Sequence, residues 1–386
     1  MRPDAFIAGH LRFKGKMAVI SMTVSFLVVV LALAVSGGFR HAIRGGIRDL
    51  SGDVQLAGPH AGDLQGDGPV RGDSTLCALL SEVPGVRTIT PVVYRPGIVR
   101  VGDRIQGILL KGVPAGDSLS LQVRIPRRLS EQLGLREGDE MLTYFVGERV
   151  QVRRFRVKEI YSGLVEADGK LLVYAPISDL QRLALWEPGE VSALEVTLSG
   201  EADEAALRRA AVALGAAAAG SLGEDDTPLV ATASPDRYPA LFDWLSLIDF
   251  NVLVILLLMI VVAGFNMISG LLILLFRHIS TIGTLKTLGM SDRSIAAVFL
   301  RVSARVVLTG MAAGNAIALL FCLVQDKTHA LRLNPANYFV SYVPVHVDLP
   351  MLLAVNAGAF AAIMLLLLLP CLFIARIDPA DTVRVK

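Results

Sequence analysis

The sequence predicts an α-helical membrane protein of four transmembrane helices with a large α+β extracytoplasmic domain of two lobes. Three observations predict it. Hydrophobic residues make up 53% of the 386 residues and charged ones only 19%, with a mean hydropathy of +0.57, away from the balance of a soluble globular chain. Four uncharged runs, Met17–Phe39, Phe250–Phe276, Val306–Gln325 and Leu349–Ala375, each reach the roughly 20 residues that cross a ~30 Å hydrocarbon core as a helix. Between the first and second runs lies a long polar stretch of alternating apolar segments punctuated by Gly, Pro and Asp.

Basic residues set the orientation. Arg2, Arg12, Lys14 and Lys16 precede the first run, Arg277, Lys286, Arg293, Arg301 and Arg305 lie between the second and third, and Arg376, Arg384 and Lys386 follow the fourth. The loop between the third and fourth holds only Lys327 and Arg332. Lys and Arg favour the cytoplasmic side, so both termini are expected there and residues 40–249 outside. The expected order is a cytoplasmic amphipathic lead-in at 1–16, spans at 17–39, 250–276, 306–325 and 349–375, a cytoplasmic connection at 277–305, an outer loop at 326–348 and a cytoplasmic tail at 376–386. A cleaved signal peptide is the rival for the first run, because Ser36, Gly37 and Gly38 follow its apolar part. Its uncharged length exceeds the roughly 7–15 residues of a signal-peptide core, and it is read as a span.

The outer segment is mildly acidic and long enough for its own core. Stretches such as "VRTITPVVY", "IQGILLKGV", "VQVRRFRVKEIYS", "KLLVYAPI" and "SALEVTL" read as strands. "IPRRLSEQLGLREGDE" reads as a short helix with Pro126 near its start and Gly134 at its end, and the Ala-rich stretch from Glu201 to Ala219 as another. "YPALFDWLSLIDF" leads into the second span, with Trp244 and Phe250 at interfacial depth.

Catalytic patterns are absent. The chain has no G-x-x-x-x-G-K-[ST] phosphate loop, no H-E-x-x-H and no C-x-x-C. Cys77, Cys322 and Cys371 are scattered, and His10, His41, His60, His278, His329 and His346 show no ligand spacing. No metal, no cofactor and no catalytic residue is expected on this chain, and a net charge of +2 gives no field for nucleic acid. None of the four runs contains Asp, Glu, Lys, Arg or His, which removes the usual mark of an ion or proton pathway. Asn251, Asn266, Asn315 and Asn356 are expected to hydrogen-bond between helices.

The segment "HISTIGTLKTLGMSDRSI", His278–Ile295, stands between two of the most apolar runs. Ile279, Ile282, Leu285 and Leu288 recur every third residue and are expected on one helix face, with Thr281, Thr284, Lys286 and Thr287 on the other. Gly289 suits a helix C-terminus and Ser291 the start of the next helix. A rigid elbow facing the cytoplasm follows, or, on composition alone, a helix lying on the lipid.

"RHISTIGTLKTLGMSDRSIAAVF" resembles the signature of the FtsX-type permease domain, shared by the cell-division permease FtsX, the macrolide exporter MacB and the lipoprotein-releasing permeases LolC and LolE. "RIDPADTVR" resembles that family's C-terminal box, carried by Pro379, Ala380 and Arg384. "FIAGHLRFKGK" is similar to its lead-in, and "LSEQLGLREGD" and "FRVKEIYSGLVEADGKLLVYAPISDLQRL" resemble the lipoprotein-releasing members. The resemblance implies a bacterial inner-membrane permease subunit with a MacB-like periplasmic domain. It would be driven by ATP hydrolysis on a separate LolD-like ABC ATPase that binds the ATP and Mg, since the segment before Met17 is too short for an ATPase.

It further implies that Ile282, Gly283, Leu285, Lys286, Leu288, Gly289, Met290 and Arg293 couple to that ATPase, and that a second permease copy or paralogue completes the membrane core. Membrane lipids and a lipoprotein substrate would meet a cleft expected at Leu31, Val35 and Phe39 opposite Leu253, Val254 and Leu257. Leu164, Glu166 and Asp168 are the candidate contact for a periplasmic LolA-like chaperone. Two other uses of the same stroke stay open, FtsX-like signalling to an outside partner and MacB-like export of an amphipathic drug or peptide.

Overall fold

The computed structural model describes residues 16–59, 69–114, 120–145, 150–161, 171–200, 202–221, 227–334, 338 and 340–375. The lead-in before Lys16, the chaperone candidates Leu164, Glu166 and Asp168, and the box at Pro379, Ala380 and Arg384 lie outside them. The chain divides into two compact units, Met1–His41 with Leu245–Arg332 and Tyr342–Lys386, and Ala42–Trp244 with Leu333–Ser341.

Helix α1 (Lys16–Ser51) opens the chain. The second unit then builds β1 (Val54–Ala57), β2 (Val70–Arg71), α2 (Ser74–Ser81), β3 (Val86–Val101), β4 (Arg104–Val113), β5 (Gln122–Pro126), α3 (Arg127–Leu133), β6 (Glu140–Phe145), β7 (Gln151–Tyr161), β8 (Leu172–Pro176) and α4 (Ile177–Ala184). It closes with β9 (Glu190–Val191), β10 (Ala193–Leu198), α5 (Glu204–Ala219), β11 (Val230–Ala233) and α6 (Ser234–Arg237). Helices α7 (Pro239–Arg277), α8 (Ile279–Thr287), α9 (Asp292–Thr328), α10 (Leu349–Leu366) and α11 (Leu368–Ala375) complete the chain.

Among the described residues four helical segments are long and apolar enough to cross a membrane, α1, α7, α9 and the α10–α11 pair. At 1.5 Å per residue, the 36 residues of α1 and 39 of α7 reach ~54 and ~58 Å, well beyond a ~30 Å hydrocarbon core. The uncharged runs thus mark only part of these rods: α1 continues past Phe39 to Ser51, and α7 begins at Pro239, well before Phe250. The last span is broken. Pro370 has no N–H to return to the Leu366 carbonyl and its ring clashes with that carbonyl, so α10 ends at Leu366 and α11 starts at Leu368.

The bundle packs around Met22 and Phe26 of α1, Met267 and Leu271 of α7, Val302 and Val307 of α9 and Ile363 of α10. At the α1–α9 crossing a Cβ on Gly314 would lie 2.6 Å from the Thr23 carbonyl oxygen, so only glycine permits the approach. Asn266 Nδ2 donates to Ser21 Oγ at 2.5 Å, tying α7 to α1. Gln325 is buried at the end of α9, where its amide bonds the Leu331 N–H and the Val343 carbonyl and pins the loop before α10.

In the second unit, strands run β11-β1-β10-β3-β4-β8-β5-β7-β6. The 16-residue β3 gives the two lobes a common member. Its first half, Val86–Val92, pairs with β10 in an antiparallel sheet that α5 covers. Its second half pairs with β4, and Ile98–Arg100 pair with β6, which closes β3, β4, β8, β5, β7 and β6 into a ring. Phe155, Met141, Leu110, Ile125 and Leu129 are fully or almost fully buried in that lobe. Strand β1 pairs antiparallel with β11, Val54 opposite Ala233, so the strand that leaves α1 and the strand that leads to α7 lie side by side.

Candidate functional site

Two constructions in the first unit are candidates for function, and the first is the elbow between α8 and α9. The N–H of Gly289 bonds the Lys286 carbonyl at 2.9 Å, and that of Met290 bonds the Leu285 carbonyl at 3.0 Å. This is the paired bonding of a Schellman motif, and Gly289 takes the positive φ it requires, +85°. Leu285 and Met290 both pack on the bundle core, as that motif favours. Ser291 then caps α9, its Oγ accepting from the Ser294 N–H at 3.4 Å. Lys286 Nζ lies 2.9 Å from Asp292 Oδ1 and bridges the two arms.

The burial pattern corrects the expected single apolar face of α8. Residues three apart drift by about 60° per step on an α-helix, so Leu288 comes to lie ~180° from Ile279. Ile282 and Gly283 are buried against the bundle, whereas Leu288 is 78% exposed. Ile282, Gly283 and Leu285 therefore fasten the elbow, and Lys286 is engaged within it. Leu288, Gly289 and Arg293 are exposed at the tip, with Thr284 and Thr287 beside them.

The second construction is a cleft of about 280 Å³. Val30, Leu33, Ala34 and Gly37 of α1, Val252, Leu253 and Leu256 of α7, and Met351, Leu352 and Val355 of α10 give it apolar walls. One end is polar. Arg40 pairs with Asp249, Ser36 Oγ donates to Asp249 Oδ1 at 2.8 Å, and His346 and Asp348 complete the rim. The His346 ring stacks on His41 with centroids 4.8 Å apart, and the His346 backbone N–H donates to the Ala34 carbonyl at 2.9 Å.

Of the six residues expected to line a cleft, only Leu253 does so. Val254 and Leu257 are exposed on another face of α7, Leu31 packs beside Val30, Ala318 and Leu352, and Phe39 is buried. Val35 is half-buried and outside the lining. One helix residue is a turn of ~100°, so an error of one position selects another face. The reading also missed Arg40, Asp249 and the third wall from α10. Their one sequence signal was that Arg40 and Asp249 are the charged residues bounding the first two uncharged runs.

Residues 253–379, which hold the elbow and most of α7 to α11, match the family described as FtsX-like permease C-terminal. The match spans about a third of the chain. The chain that carries it is similar to the lipoprotein-releasing system transmembrane protein LolC of Xylella fastidiosa (strain Temecula1), 21% identical over 413 aligned positions, covering 97% of this chain and 95% of that one. The chain is thus similar to FtsX-like permeases over that segment and to a LolC protein over almost its whole length.

Two solved structures resemble part of the chain more loosely. The periplasmic region of MacB from Actinobacillus actinomycetemcomitans has a TM-score of 0.33 at 15% identity, covering 51% of this chain and 96% of that structure. The extracellular domain of the noncanonic ABC-type transporter YknZ from Gram-positive bacteria has 0.29 at 13%, covering 46% and 98%.

Proposed function

We propose that this permease converts ATP hydrolysis on a separate, LolD-like ABC ATPase into a mechanical stroke that extracts lipoproteins from the inner membrane toward the outer membrane. The observation that carries the reading is the cleft, apolar along three helices and polar only at the Arg40–Asp249 end. An acyl chain gains about 0.8 kcal/mol per CH₂ buried, so such a cleft retains a lipid anchor and an external energy source is needed to eject it. The name of the Xylella relative supports the same substrate class.

In this account the termini and the elbow face the cytoplasm and the domain between α1 and α7 is periplasmic, by the placement of Lys and Arg. The exposed tip at Leu288, Gly289 and Arg293 docks on the ATPase, which holds the ATP and Mg, while Ile282, Gly283, Leu285, Lys286 and Met290 keep the tip rigid. A second permease copy or paralogue covers α7, whose most apolar stretch is only 6% buried against 33% in α1. Leu164, Glu166 and Asp168 remain the candidate contact for a LolA-like chaperone. Native mass measurement of the full chain purified with its ATPase tests the assembly. Two permease subunits, two ATPases and a trapped acylated polypeptide are expected, whereas a firmly bound adaptor protein and no acylated polypeptide would favour export instead.

A further inference from the structure

The end of α1 carries a buried ionic group that neither the elbow nor the cleft uses. Lys111 of β4 is 2% exposed and Glu195 of β10 is 6% exposed. Lys111 Nζ and Glu195 Oε2 are 2.7 Å apart, and the Tyr94 hydroxyl of β3 donates to the other carboxylate oxygen. Lys111 Nζ also donates to the Leu50 carbonyl at 2.8 Å and, more weakly, to the Asp49 carbonyl at 3.4 Å. Those carbonyls belong to the last turn of α1, where no helical N–H remains to pair them and the negative end of the helix dipole gathers.

Taking a lysine and a carboxylate out of water costs several kcal/mol per ion, and a well-packed apolar pair often holds a fold equally well. Burial pushes the Glu195 carboxyl up, while Lys111 pulls against that shift. An apolar pair could replace the packing and remove the desolvation, but it could not donate to Leu50. The group therefore does one thing that folding alone does not require: it ties the end of a long rod to three adjacent strands, β3, β4 and β10. Beside it, Asp53 accepts from the Leu198 N–H at 2.8 Å and from Arg48 Nε at 3.1 Å. Its carbonyl takes the Ser234 N–H at 2.9 Å, at the start of the segment that leads to α7.

We propose that Lys111 is a positioning residue of the stroke, the joint through which force along α1 reaches the sheet, acting through its bond to the Leu50 carbonyl. This rests on the stroke proposed above. Force applied along a helix is delivered at its end, and a frayed last turn would absorb it; a buried charge-assisted bond to the terminal carbonyls resists fraying. Glu195 and Tyr94 hold the ammonium in place and spread the load over neighbouring strands.

The test uses the full chain with its copurified ATPase in lipid nanodiscs, spin-labelled at Asp103 on the exposed β3–β4 turn, with label-to-label distances between permease copies measured without nucleotide and with ATP and vanadate. Wild type is expected to show a nucleotide-driven distance change. Lys111→Met with Glu195→Leu is expected to melt close to wild type and still hydrolyse ATP, yet lose at least two-thirds of that change. Glu195→Gln keeps the lysine donor and is expected to keep the change. A double variant that moves like wild type overturns the joint, and so does loss of the change in Glu195→Gln, whether or not the double variant folds. No change in wild type overturns the stroke itself, and the joint with it.

Discussion

Lys286 and Asp292 face each other across Gly289, with Nζ and Oδ1 2.9 Å apart, and so join the end of one helix to the start of the next. Lys286 is mostly buried and Asp292 half-exposed, which places the pair at the upper end of the ~0.2–1 kcal/mol typical of surface ion pairs. Lys286→Glu sets two carboxylates together and is expected to lower ATP-driven activity about fivefold, the equivalent of ~1 kcal/mol. Lys286→Glu with Asp292→Lys is expected to recover most of it, less the loss of an acidic residue from the first turn of α9. Steady-state ATP hydrolysis and protease cleavage at the elbow measure both.

Leu288 and Gly289 separate docking from folding. Leu288 is largely exposed, and surface substitutions of that kind stay within about 0.5 kcal/mol. Leu288→Asp is therefore expected to leave the melting temperature unchanged while abolishing copurification of the ATPase. Gly289→Pro removes the N–H that bonds Lys286 and forbids the positive φ, so it is expected to disorder the elbow without unfolding the second unit. Circular dichroism and ATPase pull-down together distinguish the two outcomes.

Gly314 governs how closely α1 and α9 pack. A leucine there meets backbone rather than a flexible side chain, and overpacking of this kind costs about 1–3 kcal/mol. Gly314→Leu is expected to lower the thermal stability of the detergent-solubilised chain, whereas the exposed Leu320→Ala on the same helix is expected to leave it within about 0.5 kcal/mol. Thermal melts of the two variants beside wild type check this.

Asp73 supplies a pH dependence with a defined sign. Its carboxylate caps α2 by accepting the Leu76 N–H at 2.9 Å, and that bond, followed by the one from Arg71, holds its carboxyl below the ordinary value of 3.8. The carboxyl binds its proton less readily in the folded state, so the stability it adds is present above pH 3.8 and disappears as pH falls through the depressed folded value. Asp73→Ala is expected to cost about 1 kcal/mol at pH 7, the usual value of a helix cap, and to cost less below pH 3.8, where the cap's contribution is being lost. Urea unfolding at the two pH values provides the comparison.

The elbow was legible in the sequence because its determinants are local: a glycine, a serine and a methionine within three residues fix the backbone by their own hydrogen bonds. Pro126 and Gly134 framed α3 for the same reason. The four spans were legible from length and lack of charge. The cleft was not, because α7 is apolar all round and gives no register to tell Leu253 and Leu256 from Val254 and Leu257. Its third wall depends on Gln325 folding the loop before α10, a contact no spacing reveals. Nothing in the strand "IQGILLKGV" marks Lys111, since its partners come from β10 and the end of α1.

The central claim is that ATP hydrolysis on a partner empties the cleft of a lipidated protein, and photo-crosslinking from inside the cleft tests it most directly. A photoreactive residue at Leu253, within the lining, and another at Leu257, outside it, are compared in the permease–ATPase complex in membranes. The account predicts crosslinks to acylated polypeptides at Leu253 at several times the yield at Leu257, lost when ATP is added. Crosslinks to phospholipid alone, equal at the two positions and indifferent to ATP, would contradict it.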